Sequence, residues 1–235
     1  MRGVYNEGFG TFYERLVRKE YLKSLTINFD SVLEVKCGFG VDSLIFKDNQ
    51  VTLVENRADY LQECKRLLAA TSVNSKIELI KSDFLNLPFK PNSFDLVWSS
   101  SLVDDVPNPK ALILEMKRVS RKYVLLFASN DLHLTHIYSK SKKASIPWID
   151  IRTLPRIFES CGLEIIDKGN IDSPPWPSGL NIPMKLKGKI KSKPDSRKLN
   201  TSSVLRTLVS FERYIIPNFA KIFMGHQVFV LAEKR

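Results

Sequence analysis

The stretch Glu34-Val-Lys-Cys-Gly-Phe-Gly40 decides how this chain of 235 residues folds. It overlaps a short apolar segment, Ser31-Val-Leu-Glu-Val35, which has the length and composition of a buried strand. In an open parallel sheet, the first strand leads into a tight loop, and ligands bind beyond the carboxyl ends of the strands. Gly38 and Gly40 suit that loop, because a residue without a side chain adopts a positive φ and lets a ligand approach the backbone. By itself, however, a Gly-x-Gly pair is a weak signal.

Strands and helices alternate around this stretch. The apolar patterns predict strands near residues 31–35, 51–54, 77–80, 94–98, 123–127, 163–166 and 227–231. They predict helices over residues 13–25, 57–70, 109–119 and 151–161, and a helix-compatible segment at 42–46. This alternation indicates an α/β protein with a Rossmann-like, doubly wound, mostly parallel seven-stranded sheet and helices on both faces.

The chain length fits one domain over residues 1–235, with an N-terminal helical segment over residues 1–29. Residues 171–225 interrupt the expected final hairpin, and we interpret them as an insertion before the last strand that serves as a lid or partner surface. A helix is expected within it from Ser202 to Ile216, because Pro217 would break or kink it there.

The net charge of +11 is concentrated in that insertion. Residues 184–198 hold seven Lys and Arg against one Asp, which is six of the eleven net charges. Such a run contacts nucleic acid, an anionic membrane surface or an acidic substrate, or it forms a solvated loop.

The remaining composition restricts the class of protein. No apolar run is long enough for a membrane-spanning helix, and the N-terminus lacks the pattern of a signal peptide. Cys37, Cys64 and Cys161 are odd in number and widely spaced, which predicts reduced thiols in a cytoplasmic protein.

Acidic residues follow the next two strands. Glu55 ends the second strand, where a carboxylate accepts hydrogen bonds from both hydroxyls of a ribose. Asp83 follows the third strand and would accept a hydrogen bond from an adenine amino group, while Phe84 would offer a backbone N–H and an apolar wall. The fourth strand ends in small polar residues, Ser99 among them. Their small size would leave an opening, here called the mouth, at this edge of the sheet.

These pieces, in this order, resemble the class I methyltransferases, and most closely their type 11 branch of small-molecule enzymes. The resemblance rests on the loop at 34–40, Glu55, the segment Asp83-Phe-Leu-Asn-Leu-Pro-Phe89, the segment Phe94-Asp-Leu-Val-Trp-Ser-Ser-Ser-Leu-Val-Asp-Asp-Val106, and the helix Ala111-Leu-Ile-Leu-Glu-Met-Lys-Arg-Val119. It covers roughly residues 30 to 130.

The resemblance implies S-adenosylmethionine as methyl donor and S-adenosylhomocysteine as product. Glu34, Gly38 and Gly40 would line the methionine and ribose portion. Glu55 would bind the ribose, and Asp83 and Phe84 would bind the adenine. Ser99 would lie near the methionyl group and the sulfonium. A small-molecule acceptor is the first expectation. RNA, through residues 184–198, and a lipid or quinone acceptor reached by peripheral membrane contact are the alternatives.

Two positions depart from the family pattern. Lys36 stands where relatives have a glycine, so it would strain the loop, pair with the cofactor carboxylate or reach solvent. The second departure is Asp104-Asp105, where many relatives have His or Glu-His. Either carboxylate would orient or deprotonate an acceptor, or serve only as a helix cap.

His133 and His136 follow the fifth strand, where acceptors often bind. His133 is therefore a third catalytic candidate beside Asp104 and Asp105, although packing is the simpler interpretation. Without a cysteine or a clear carboxylate partner, this pair does not predict a metal site.

Two other classes of protein remain. A nicotinamide dehydrogenase would need a third glycine in its fingerprint, and Ser43 stands there. A non-catalytic Rossmann-like binding module results if Lys36 blocks the cofactor.

Overall fold

The protein is described by a computed structural model over residues 9–69, 77–100, 102–133, 148–172 and 217–235. Its strands are β1 (Ser31–Val35), β2 (Gln50–Glu55), β3 (Ile77–Lys81), β4 (Phe94–Ser100), β5 (Ser120–Ser129), β6 (Leu163–Ile171) and β7 (Gln227–Lys234). Its α-helices are α1 (Phe9–Lys23), α2 (Ala58–Ala69), α3 (Pro109–Val119), α4 (Thr153–Ser160) and α5 (Asn218–Met224). Short 3-10 helices lie at Asp42–Phe46 and Val103–Asp105.

The strands form one sheet in the order β3-β2-β1-β4-β5-β7-β6. Strands β1 to β5 are mutually parallel, and β7 runs antiparallel between β5 and β6. The predicted Rossmann-like, mostly parallel seven-stranded sheet is therefore confirmed.

Apolar side chains cover both faces of the sheet. Leu33 and Val97 belong to the core on one face, and Val32, Leu53 and Trp98 belong to the core on the other. Alternate residues of β1 thus enter different cores, because successive side chains of a strand point to opposite faces. This is why the strands read as continuous apolar runs.

Several elements differ in extent from the prediction. Strand β6 continues to Ile171 although its second half is polar, because it is an edge strand that pairs with β7 along its whole length. The segment at 42–46 is a 3-10 helix, and α4 begins at Thr153, where the Asp150 carboxylate accepts the Thr153 backbone N–H at 2.8 Å. Gly162 follows α4 at φ 70°, as expected of a helix-ending glycine.

The carboxyl ends of β1, β2, β4 and β5 share one edge of the sheet. The antiparallel pairing brings the end of β6 and the start of β7 to the same edge, because Ile171 and Ser129 both pair with Gln227. Most of the proposed insertion, residues 173–216, lies outside the described residues. It includes the lysine run and the helix expected from Ser202, so the lid interpretation and the single-domain division stay predictions.

Candidate functional site

The loop after β1 holds three residues with left-handed backbone: Lys36 (φ 61°), Gly38 (φ 56°) and Gly40 (φ 67°). Gly40 is closely packed, since a Cβ there would lie 2.6 Å from Cys64 Sγ and 2.8 Å from Leu53 Cδ1. A Cβ on Gly38, by contrast, would meet no heavy atom within 4 Å. Gly40 therefore seats the loop against α2 and β2, whereas Gly38 leaves room for a ligand beside the backbone.

Glu55 anchors this loop from the end of β2. Its buried carboxylate accepts hydrogen bonds from the backbone N–H groups of Gly38 at 2.8 Å, Asn56 at 2.9 Å and Arg57 at 3.1 Å. A carboxylate offers about four acceptor positions, so these three bonds leave capacity for about one more donor. The structure thus brings Glu55 to Gly38, and it adds a role in holding the backbone that the sequence did not indicate.

The side chains of Glu34 and Ser99 form hydrogen bonds to residues at the two ends of the same loop. The Ser43 hydroxyl donates a hydrogen bond to the Glu34 carboxyl group. Burial raises the pKa of Glu34 well above its usual range, and the charge of Asp42 adds to that effect. Ser99 Oγ donates to the Val35 carbonyl oxygen at 2.6 Å. Both candidate residues are at the expected edge, and both are engaged with protein partners there.

The two candidates for binding adenine differ in exposure. Asp83 is exposed after β3, and its Oδ1 accepts the backbone N–H of Leu85 at 3.2 Å. The Phe84 side chain is buried in the same core cluster as Leu87 and Val97. Phe84 therefore anchors the segment after β3 in the core, and the Asp83 carboxylate is exposed at the surface.

The two aspartates after β4 have different neighbours. Lys36 Nζ forms an ion pair with the Asp105 carboxylate, so the side chain of Lys36 crosses from the glycine loop to the second 3-10 helix. The Asp104 carboxylate accepts hydrogen bonds from Ser129 N at 3.1 Å and from Ser129 Oγ at 2.9 Å. Asp104 therefore fixes the 3-10 helix to the end of β5.

His133 lies in a buried polar cluster at the end of β5. Its ring contacts that of His226, with centroids 3.9 Å apart and planes inclined by 72°. His226 Nδ1 lies 3.2 Å from Asp172 Oδ2. Asp172 and His133 are 3% and 5% exposed, and Asp172 has a left-handed backbone (φ 61°).

Sequence reasoning missed Asp172, which lies at the start of the predicted insertion, and His226, which follows it. Each lies far from His133 along the chain, and no local motif links them. The available signal was topological: Asp172 follows the sixth strand and His226 precedes the seventh, so an antiparallel pairing would bring both to the ligand-binding edge.

Helix α1 closes this edge through Arg18. Its guanidinium donates to Asp42 Oδ2 at 2.7 and 3.1 Å, to Gln227 Oε1 at 3.2 Å and to Glu14 Oε1 at 3.1 Å. Burial opposes the charge of Arg18, yet the carboxylates of Asp42 and Glu14 raise its pKa above the usual value. The helix is thereby tied both to the segment after the glycine loop and to the start of β7.

The described residues also bear on metal binding and on membrane insertion. Within those ranges, no group of three or more His, Cys, Asp and Glu side chains is arranged to hold a metal ion. No helix in the described part of the chain has the length and apolarity needed to cross a membrane. Cys37, Cys64 and Cys161 are buried free thiols.

A family model described as a methyltransferase domain matches residues 33–128. The matched segment begins in β1 and ends in β5, and it contains the glycine loop, Glu55, Asp83 and Ser99. This match to the type 11 methyltransferase family covers about two fifths of the chain. The resemblance noted in the sequence is thus confirmed.

Curated relatives of this methyltransferase domain are distant. The chain is 27% identical over 188 residues to a sterol 24-C-methyltransferase of Pneumocystis carinii, covering 71% of this chain and 50% of that protein. It is 28% identical over 112 residues to a cycloartenol-C-24-methyltransferase of Oryza sativa, covering 45% of this chain and 33% of that protein. The chain thus spans half or less of the length of these relatives.

Solved structures share the fold at low identity. A putative sarcosine dimethylglycine methyltransferase from Galdieria sulphuraria has a TM-score of 0.63 at 12% identity, covering 95% of this chain and 86% of that one. The [4+2]-cyclase SpnF has a TM-score of 0.64 at 16% identity, covering 99% and 85%. Because one of these neighbours is a cyclase, the fold alone does not establish methyl transfer.

Lys36 provides a first test of how this chain departs from the family that it matches. A left-handed backbone costs a residue other than glycine about 1–2 kcal/mol, and an exposed ion pair contributes about 0–1 kcal/mol. We therefore expect Lys36→Gly to raise the free energy of unfolding by about 0.5–1 kcal/mol, measured by urea denaturation. Asp105→Asn, which removes the ion pair but not the strain, should lower it slightly. Destabilisation by Lys36→Gly would contradict this assignment of strain.

The buried Asp172 predicts a pH dependence of stability. Burial and the charge of Glu14 raise its pKa from 3.8 to about 8, against the opposing charge of Arg18. Between about pH 4 and pH 8 the folded chain keeps this proton and the unfolded chain loses it. The contribution of Asp172 to stability is therefore complete below about pH 4 and is lost as pH rises through about 8.

Urea denaturation at pH 5, 6, 7 and 8 checks this expectation. The free energy of unfolding of Asp172→Asn should fall less steeply across this range than that of the unmodified chain, because an amide does not titrate. Parallel curves for the two proteins would show that Asp172 keeps an ordinary pKa.

Proposed function

We propose that this chain transfers a methyl group from S-adenosylmethionine to a small-molecule acceptor. The observation that carries the proposal is the open space beside Gly38, bounded by the Glu55 carboxylate, within a domain that matches a methyltransferase family. Carboxylate, glycine backbone and exposed Asp83 lie at the carboxyl edge of the sheet, where this fold binds its ligands.

These residues fit the cofactor in chemical type. Glu55 has about one acceptor position left for a ribose hydroxyl, and Asp83 has a surface carboxylate for an adenine amino group. Gly38 lets the ligand approach the backbone. Glu34 and Ser99 already have protein partners, so we assign them to the shape of the loop beneath the methionyl portion. Lys36 lies beside this mouth and would attract the carboxylate of the cofactor.

When bound, S-adenosylmethionine supplies a methyl group on a sulfonium, which is a good leaving group. The protein therefore has to align the acceptor and exclude competing contacts. Helix α1, tied across the edge by Arg18, and the second 3-10 helix, tied to β5 by Asp104, would form walls for that alignment.

The curated relatives support a small acceptor. They are named as sterol and cycloartenol methyltransferases, and they match only part of their length at 24–28% identity. They therefore support the class of acceptor and not a sterol in particular. The RNA alternative depends on residues 184–198, which lie outside the described residues, and no contact among the described residues favours it.

Calorimetric titration and thermal denaturation with S-adenosylmethionine, S-adenosylhomocysteine and NAD⁺ test the proposal. A ligand at 100 times its Kd stabilises the folded state by about 2.7 kcal/mol, which raises Tm by roughly 5–10 °C in a chain of this length. We expect that shift with the two S-adenosyl ligands and none with NAD⁺. No binding of either S-adenosyl ligand at millimolar concentration would favour the non-catalytic interpretation.

A further inference from the structure

The polar cluster of His133, His226 and Asp172 is not explained by cofactor binding. It lies beside the candidate mouth, because the backbone N–H of Asn130 donates to the His226 carbonyl oxygen at 2.8 Å and Asp104 holds Ser129. From the other side, Arg18 joins Gln227, the neighbour of His226, to Asp42 after the glycine loop. The cluster is therefore connected to the glycine loop from both directions.

The three side chains follow one another as carboxyl group, imidazole and imidazole, an arrangement that suits the transfer of a proton. Asp172 is held 3.2 Å from Nδ1 of His226, and the ring of His226 contacts the ring of His133. A carboxyl group held against one ring nitrogen fixes the orientation of the imidazole, and it stabilises the imidazolium when the carboxyl group is ionised. The left-handed backbone of Asp172 is a further sign, because such strain persists where the surroundings fix a residue for a purpose.

We infer that His133 is the proton acceptor for the substrate, with His226 and Asp172 as positioning residues, and that the substrate carries its reacting atom as a hydroxyl group. This inference rests on the proposed function. An amine attacks as a neutral base, whereas a hydroxyl oxygen needs its proton removed as it attacks. An imidazole beside a second imidazole and a carboxyl group therefore fits an acceptor that must lose a proton as it attacks, and a hydroxyl oxygen is such an acceptor.

The chemical step balances within the proposed reaction. The acceptor oxygen forms a bond to the methyl carbon while the bond between sulfur and that carbon breaks, and the electron pair stays on sulfur. The proton of the hydroxyl group passes to the imidazole of His133 and leaves later to water. No oxidant, reductant or further reactant is needed.

The charged surroundings suit proton exchange near neutral pH. Burial raises the pKa of Asp172 to about 8, which lies close to the range in which histidines titrate. Among the described residues, Glu14 and Arg18 on α1 act on Asp172, and Asp131 lies two residues before His133 in the chain.

The first test observes the imidazoles without any substrate. The chain has three histidines, His133, His136 and His226, so nitrogen–proton NMR resolves their titrations, and His→Asn variants assign them. We expect Asp172→Asn to move the titration midpoints of His226 and His133 by about one pH unit, because the carboxyl group acts on both. Glu164→Gln, an exposed change at the opposite end of β6, should move neither. Midpoints insensitive to Asp172→Asn would overturn the inference.

The second test compares acceptors that differ only at the reacting atom. Phenol, catechol, hydroquinone and a long-chain alcohol are each assayed beside the amine of the same skeleton, with release of S-adenosylhomocysteine as the readout. We expect turnover of a hydroxyl compound. His133→Asn should lower its kcat/KM by about 10²–10⁴-fold at pH 7, and the loss should shrink towards pH 10, where a phenol ionises without help. Asp172→Asn should displace the pH profile, and Glu164→Gln should leave it unchanged.

The outcomes separate the inference from the proposed function. Turnover confined to amines, turnover of no hydroxyl compound, or a loss in His133→Asn that is the same at every pH would overturn the inference. If S-adenosylmethionine still binds in calorimetry, the proposed function survives that result. If it does not bind, both fail.

Discussion

Glu55→Gln is expected to weaken the binding of S-adenosylmethionine about 100-fold and to destabilise the folded chain by about 1–3 kcal/mol. The carboxylate accepts three backbone N–H groups on its two oxygens. A glutamine keeps one acceptor oxygen and turns an NH₂ donor towards at least one buried N–H. That N–H loses its acceptor, and the ribose loses a charged partner.

Calorimetry of S-adenosylhomocysteine binding and urea denaturation measure the two effects separately. Glu63→Gln on α2 is the matched control, because Glu63 forms only a surface ion pair with Arg66. It should change neither quantity appreciably. A Glu55→Gln protein that loses stability and keeps its affinity would show that Glu55 holds the loop without binding the ribose.

Gly40→Ala should have the largest effect on stability, a loss of about 2–5 kcal/mol. The new Cβ would lie 2.6 Å from Cys64 Sγ and 2.8 Å from Leu53 Cδ1, both buried, at a backbone φ of 67°. Left-handed strain costs about 1–2 kcal/mol and overpacking about 1–3 kcal/mol. Urea denaturation of the chain without ligand measures the loss.

Gly38→Ala is the matched control, because its φ of 56° is similar and no heavy atom lies within 4 Å of the new Cβ. It should cost only about 1–2 kcal/mol, the strain alone. Its Cβ would enter the space proposed for the cofactor. The binding free energy of S-adenosylmethionine should therefore fall by more than the free energy of unfolding does. Cys64→Ala added to Gly40→Ala should recover part of the loss. Equal losses for the two glycines would contradict the packing difference.

The sequence predicted the fold for a physical reason. Strands buried on both faces are short, apolar and rich in β-branched residues, and the helices between them repeat with helical spacing, so local pattern determines the alternation. The ends of the strands were less certain where hydrogen bonding to a neighbouring strand determines how far a strand extends. The polar half of β6 is a strand because β7 provides its hydrogen-bond partners, and no property of those residues alone indicates it.

The sequence by itself also determined the candidate cofactor loop. Gly38, Gly40 and Glu55 lie at the ends of successive strands, and parallel strands bring their carboxyl ends to one edge. It did not determine that Glu55 holds three backbone N–H groups, or that Lys36 spans to Asp105. Those contacts join side chains to backbone across loops, and loop geometry leaves no periodic trace in a sequence.

The tertiary structure alone brought together the histidine cluster. His133 follows β5, Asp172 directly follows β6, and His226 precedes β7, so the three are separated along the chain by whole elements. They meet because β7 enters the sheet antiparallel between β5 and β6, which places the end of one strand and the start of another at the edge used by the cofactor loop. The glycine loop was determined by local sequence, whereas the proposed proton acceptor depends on long-range strand pairing.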